Sequence, residues 1–354
     1  MVQMVSAHLI DASTIPAYTP TMEKPDIAVI YQDHHMLIVN KPAGMVIHPT
    51  YKHTDGGTMW DVLLRYTEGL GGDGWRPPDL PDEPEWAGAP ADVRVMLRDK
   101  RTARLWKEGG VLARPCLLHR LDKDTSGVVA LARTENARRH LVRQFHDHTI
   151  TKRYLAVIQR GAYPWAEPRA AFSVVYRSSD GYECPATVEQ IFDATGEGEY
   201  VLSGPLRRDP DERRRCIVGP DGQEATTLVR VLAADERFAL LDVRPVTGRT
   251  HQIRAHLAAL GCAIVGDRVY APPMDAGVAD AGLQRQFLHA YSLTLRDYPG
   301  NKPRMFIAPL ASDLEHWLAC AAPVLWQTWG EVHVQHTLAA SALRADNVDH
   351  GNWR

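Results

Sequence analysis

The chain has 354 residues, 45% hydrophobic and 23% charged, with a formal net charge of −3. These proportions suit a globular protein with a sizeable core and exclude collagen-like and disordered classes. No apolar run approaches the roughly 18 residues of a membrane span, and no basic stretch before an apolar core marks a secretory leader. Five scattered cysteines, Cys116, Cys184, Cys216, Cys262 and Cys320, form no Cys-x-x-Cys pair. Neither a disulfide framework nor a metal site is expected, and a reducing cytoplasm fits. Residues 98–160 hold 15 Lys and Arg against 6 Asp and Glu. Such a segment suits a phosphate backbone as well as it suits a charged helix face that only keeps the protein in solution.

Residues 1–25 show no period, and a poorly ordered lead-in is expected there. Ile27–Tyr31 and Met36–Asn40 are apolar runs joined by Gln32-Asp33-His34-His35, the pattern of a hairpin of buried strands. Lys41-Pro42-Ala43-Gly44 closes it with turn residues. A short helix is predicted over Gly57–Leu64 with Thr58 as N-cap. Residues 68–92 turn rich in Gly, Pro and acids and read as a long insertion loop. Alternating apolar and basic positions over 93–108 suggest a further helix.

Leu117-Leu118-His119-Arg120-Leu121-Asp122-Lys123-Asp124-Thr125-Ser126-Gly127 is a polar cluster that leads into the apolar run Val128–Ala132, which reads as a buried strand. Gly127 can supply a positive φ at the strand entry. A polar loop clamped between buried segments is a usual seat for chemistry. Asp122, flanked by Arg120 and Lys123, is favoured in its ionised form and can act as nucleophile or base. A surface turn with local ion pairs is the plainer alternative.

Thr134 is placed to cap a helix reaching about His146, with Ala137, Leu141 and Phe145 on one face. Lys152–Ile158 reads as a strand carrying Tyr154. Strands are predicted over Ala186–Phe192, Thr226–Leu232 and Phe238–Val243, with the arginine-rich stretch 207–215 between them. Its alternating acids allow a self-paired surface loop as readily as a phosphate grip. Gly248-Arg249-Thr250-His251-Gln252-Ile253-Arg254 reads as a turn into a helix with Thr250 as its cap. His289 reads as a core histidine, Met305–Leu310 as the last strand, and a helix follows from Ser312.

His-Arg-Leu-Asp-Lys-Asp-Thr-Ser-Gly resembles the signature of the RluA family of RNA pseudouridine synthases. Three further stretches agree in the family's order. They are the strand pair ending in Lys41-Pro42-Ala43-Gly44, Lys152-Arg153-Tyr154-Leu155-Ala156, and Gly248–Arg254 with Gly261–Tyr270. The resemblance covers roughly 26–320 and leaves 321–354 as a C-terminal extension. It implies an α+β class, the pseudouridine synthase fold: a mixed, mainly antiparallel central sheet flanked by helices, with a central active-site cleft. The implied chemistry is isomerisation of uridine to pseudouridine in ribosomal or transfer RNA, with no cofactor. The absence of a P-loop, dinucleotide fingerprint or zinc pattern agrees.

By resemblance, Asp122 is the catalytic residue, Tyr154 packs on the target base and Arg254 pairs with Asp122. Arg120, Lys123, Arg249, Lys41, Arg207 and Arg208 are the candidate RNA contacts. For Lys41 the plainer reading is a solvated lysine beside a turn. No membrane or obligatory protein partner is implied, and a monomer is expected. The alternatives are a catalytically silent RNA-binding protein on the same scaffold and a glycoside hydrolase. The hydrolase needs a second carboxylate about 5–10 Å away.

Overall fold

The computed structural model describes residues 27–47, 58–68, 111–160, 171–193, 198–271 and 283–345. The expected lead-in over 1–25, nearly all of the 68–92 insertion, the 93–108 helix and the chain after Ala345 lie outside the described residues. In chain order the structure runs β1 (Ala28–Gln32), β2 (Met36–Lys41), α1 (Met59–Glu68), β3 (Val111–Leu117), β4 (Ser126–Thr134), α2 (Glu135–His146) and β5 (Thr151–Gln159). It continues through β6 (Ser173–Ser178), β7 (Glu183–Pro185), α3 (Val188–Asp193), β8 (Gly198–Ser203), β9 (Leu206–Arg208), β10 (Cys216–Val218), β11 (Thr226–Ala234) and β12 (Phe238–Pro245). It ends with α4 (Gln252–Ala259), β13 (Leu288–Arg296), β14 (Pro303–Ile307), α5 (Ser312–Ala321) and α6 (Pro323–Ala345). The class is α+β, with a large, mostly antiparallel sheet flanked by helices.

The chain forms two compact units. The described residues of the first are 27–47, 58–68, 111–152, 292–308 and 339–345. Its β1–β2 hairpin turns on Asp33, whose Oδ1 accepts the N–H groups of His35 (2.7 Å) and Met36 (2.6 Å). An Asp side chain satisfying the backbone two and three residues on is a standard turn former. β2 pairs antiparallel with β4, running from Met36 opposite Ala132 to Lys41 opposite Gly127. Every residue of β4 is buried, as an apolar run without alternation requires. Gly127 has φ +121°, the positive value expected of it. Thr134 caps α2 by accepting the Ala137 N–H at 3.3 Å. Ala137 and Leu141 enter one core with Met36, Ile38, Val128, Ala130, Leu293 and Phe306, and the half-buried Phe145 packs against it. Thr58 and Asp61 cap α1 reciprocally: the Asp61 carboxylate accepts the Thr58 hydroxyl at 2.6 Å and its N–H at 3.0 Å.

The described residues of the second unit are 153–160, 171–193, 198–271, 283–291 and 309–338. Its strands follow the order β5-β12-β11-β8-β6-β7, with neighbours paired antiparallel. β9 and β10 form a separate two-stranded ribbon. α4 packs beside the ribbon and β11, and its His256 is fully buried between the Thr227 hydroxyl (2.9 Å) and the Gly204 carbonyl (3.1 Å). His289 is likewise fully buried, as a core histidine should be.

Three expectations fail here. The burial expected of β1 is not found: as the edge strand of the sheet it is exposed to half-buried. The strand expected over Ala186–Phe192 is the helix α3. Gln190 reaches back so that its Oε1 accepts the Thr187 N–H at 2.8 Å, a capping interaction that outweighs a seven-residue alternation. Thr250 does not cap α4. The N-cap is His251 in the left-handed region (φ 55°), with no side-chain cap. The Gln252 amide takes over instead, accepting the Thr247 hydroxyl (2.7 Å) and the Arg249 N–H (3.0 Å) and donating to the Thr226 carbonyl (2.9 Å).

Candidate active site

The cluster around Asp122 is the loop between β3 and β4, and its backbone is held from behind. The Leu118 N–H reaches the Ala130 carbonyl at 3.2 Å, and the Ala130 N–H returns to His119 Nε2 at 3.1 Å. A ring nitrogen that accepts an N–H is unprotonated, so His119 is a neutral imidazole. It stacks on Phe145 of α2 at 5.0 Å and 17°. Burial pushes its pKa down to about 3, with the nearby Lys152 charge adding to the effect. Leu121 is buried, and the Thr125 N–H closes a turn on the Asp122 carbonyl at 3.2 Å. Asp122 itself is half-buried between the exposed Arg120 and Lys123.

Lys41 departs from expectation. It is neither solvated nor at a phosphate-facing surface, because its side chain is fully buried. Its Nζ donates to the carbonyls of Pro42 (2.8 Å), Lys123 (2.8 Å) and Thr125 (2.9 Å). The pairing of Lys41 with Gly127 brings the side chain under the loop. A buried ammonium has three donors to satisfy, and three carbonyls meet them. Lys41 is therefore a clamp on the Asp122 loop. The structural roles of Lys41 and His119 were not predicted. The sequence signal for both is their place inside the matched motifs.

In the second unit, Tyr154 is buried on β5 opposite Val243 of β12. Its neighbour Arg153 pairs with Asp242, whose other oxygen accepts the Tyr291 hydroxyl at 3.1 Å. Arg254 is buried on α4, and its guanidinium forks onto Asp267 at 2.7 and 2.9 Å. Asp267 Oδ1 also accepts the N–H groups of Val269 (2.9 Å) and Tyr270 (3.2 Å). Arg254 lies 5.1 Å over the Tyr270 ring. Asp267 was not singled out by sequence, although it follows a glycine that the backbone demands. Gly266 has φ +74°, and a Cβ there would meet the Arg285 carbonyl at 2.2 Å.

The candidate RNA-contacting arginines lie in two places in this unit; Arg249 and Arg208 are exposed and Arg207 is half-buried. Arg249 is exposed before α4, with its Nε on the Glu224 carbonyl at 3.2 Å. Arg207 and Arg208 lie on β9, where Arg207 meets Asp221 at 3.1 Å and Arg208 donates to the Arg213 carbonyl at 3.2 Å.

Residues 35–259 match the family model for RNA pseudouridylate synthase. The chain belongs to the RNA pseudouridylate synthase family. Members of this family are isomerases that convert uridine in RNA to pseudouridine. The chain is 34% identical over 276 residues to an uncharacterized RNA pseudouridine synthase of Chloroflexus aurantiacus, covering 78% of this chain and 63% of that relative. It is 29% identical to the ribosomal large subunit pseudouridine synthase D of Zymomonas mobilis (85% and 74% covered) and 30% identical to that of Xanthomonas campestris (82% and 68%). Human RNA pseudouridylate synthase domain containing 4 shares the fold, at a TM-score of 0.50 and 21% identity, over 82% of this chain and 92% of that one. Among the described residues, no helix is long and apolar enough to cross a membrane.

Two outcomes are expected. Arg254→Ala strands the buried Asp267 charge and should cost on the order of 3–5 kcal/mol in chemical denaturation. Adding Asp267→Asn should recover part of that loss; a cost below about 1 kcal/mol contradicts the pairing. His119 and His256 have pKa values pushed by burial to about 3 and about 4, below the ordinary imidazole value of about 6.5. On acidification the unfolded chain takes up these protons first. Stability is therefore full above about pH 6.5 and falls below it, by up to roughly 1.4 kcal/mol per pH unit for each ring. Denaturation between pH 6.5 and 5, above the carboxylate range, should show this slope, and His119→Asn should reduce it to the part that His256 contributes. A flat wild-type profile contradicts the neutral assignment.

Proposed function

We propose that this synthase isomerises uridine in large-subunit ribosomal RNA, with Asp122 as the group that starts the reaction. The observation that carries this reading is a half-exposed carboxylate on a loop whose backbone is fixed by the buried Lys41 ammonium and the neutral His119 ring. Preorganisation of this kind is what a reacting group needs, since a loosely held carboxylate loses the benefit of orientation. The substrate class follows the names of the Zymomonas and Xanthomonas relatives; transfer RNA is the other outcome to score.

The net chemistry breaks the bond from N1 of uracil to C1′ and forms one from C5 to C1′. The C5 proton leaves and N1 regains one. Oxidation state is unchanged, so the reaction calls for no redox cofactor. Asp122 acts as nucleophile or base, Tyr154 packs on the uracil, and Arg254 supports the catalytic carboxylate, as the resemblance implies. The target base must leave its stack, at a few kcal/mol. Arg120, Lys123, Arg249 and Arg208 supply sequence-independent phosphate contacts, while Arg207 is engaged by Asp221. We place the protein in the cytoplasm with its RNA, acting as a monomer.

Asp122→Asn tests the assignment. Pseudouridine formation in unmodified large-subunit RNA transcript should fall by about 10²–10⁴-fold or more, with RNA affinity and melting temperature held. Turnover close to wild type removes Asp122 from the chemistry.

A further inference from the structure

The loop joining β9 and β10 pairs much of its own charge. Arg214 meets Glu212 at 2.9 Å, and Arg215 grips the buried Asp209. Arg208 and Arg213 are exposed, and among the described residues no carboxylate pairs with either. They are the cations of this ribbon left for an external anion.

The ribbon is tied down at two points. At its root, Leu206 and Gln223 exchange N–H···O bonds of 2.8 Å, and the Gly219 N–H reaches the Pro205 carbonyl at 2.9 Å. On its return strand one side chain does the tying. The Tyr270 hydroxyl donates to the Cys216 carbonyl at 2.8 Å and accepts the Cys216 N–H at 2.8 Å. Cys216 is the residue directly opposite Arg208 in the ribbon register. The Tyr270 ring meanwhile lies under the guanidinium of Arg254, which holds Asp267. The hydroxyl and the ring thus serve different neighbours.

We propose that Tyr270 is a positioning residue for RNA binding: its hydroxyl fixes the β9–β10 ribbon, and with it Arg208 and Arg213, against RNA phosphates, while its ring separately supports Arg254. The inference rests on the proposed action on RNA and adds to it a division of labour within one side chain. A phenylalanine keeps the ring and loses the hydroxyl's two ties to Cys216 and its 3.3 Å contact with His251 Nδ1. Affinity should then fall while the chemical step is spared. The leucine variant loses both.

The test uses the full chain and unmodified large-subunit RNA transcript, with binding and turnover measured separately. Tyr270→Phe should raise KM and Kd for the RNA about tenfold with kcat held within about twofold, and Tyr270→Leu should lower kcat as well. Arg208→Ala with Arg213→Ala should weaken binding and reduce the salt slope by roughly 1–2. Adding Tyr270→Phe to that pair should weaken binding little further, because the ribbon it positions has already lost its contacts.

Wild-type affinity in Tyr270→Phe, full additivity with the arginine pair, or a kcat loss matching the KM rise overturns the proposal. Should Tyr270→Phe fail to fold, the arginine pair decides: unchanged RNA affinity overturns the proposal and weakened affinity supports it. A wild-type chain that binds the RNA without forming pseudouridine sinks the proposed activity, and the binding cycle still judges Tyr270.

Discussion

The candidate site depends on one buried cation. The Lys41 ammonium lies beneath the Asp122 loop and holds the carbonyls of Lys123 and Thr125, the residues on either side of Asp124. Burying an ammonium is unfavourable unless its donors are met, so the loop and the lysine fix each other: the carbonyls offset the desolvation, and the ammonium fixes the carbonyls. His119 does the same from the other end of the loop with a neutral ring. Asp122 is left half-exposed on a backbone with little freedom to move. The Lys41 ammonium is aimed at backbone carbonyls of the loop, which restrains the segment that carries Asp122.

The second unit uses arginine where the first uses lysine. Arg153 with Asp242, Arg254 with Asp267 and Arg285 with Asp313 are ion pairs with at least one deeply buried member. Two of them fork in the bidentate geometry that suits guanidinium and carboxylate, with both donor distances between 2.6 and 2.9 Å. Such pairs contribute little net stability, but losing either partner is costly. They fix the stretches around them: Arg153 adjoins Tyr154, and Asp267 opens the turn that carries Tyr270. The exposed pairs of α2, such as Arg139 with Glu135 and Arg143 with Asp147, are solvated and carry little energy.

Much of this was legible in the sequence. The β1–β2 pairing, the buried run of β4, the Thr134 cap and the strands β5, β11 and β12 follow from periodicity and cap chemistry, although β1 itself lies at the sheet edge and is not buried. The motifs found the Asp122 loop because its residues are contiguous. The misses have one cause. Ala186–Phe192 alternates like a strand, yet one glutamine side chain turns it into a helix. Lys41 looks like any lysine beside a turn until strand pairing carries it under a loop more than eighty residues away in sequence. Asp267 and Cys216 gain their importance from Arg254 and Tyr270, and no local pattern announces contacts of that kind.

The most direct measurement follows amide exchange and turnover together in the wild type and in Lys41→Met, which fills the space but carries no donor. The account predicts that protection of the Thr125 amide is lost along with pseudouridine formation, while the β2 and β4 amides keep theirs. A Lys41→Met protein with wild-type protection at Thr125 and wild-type turnover would contradict it.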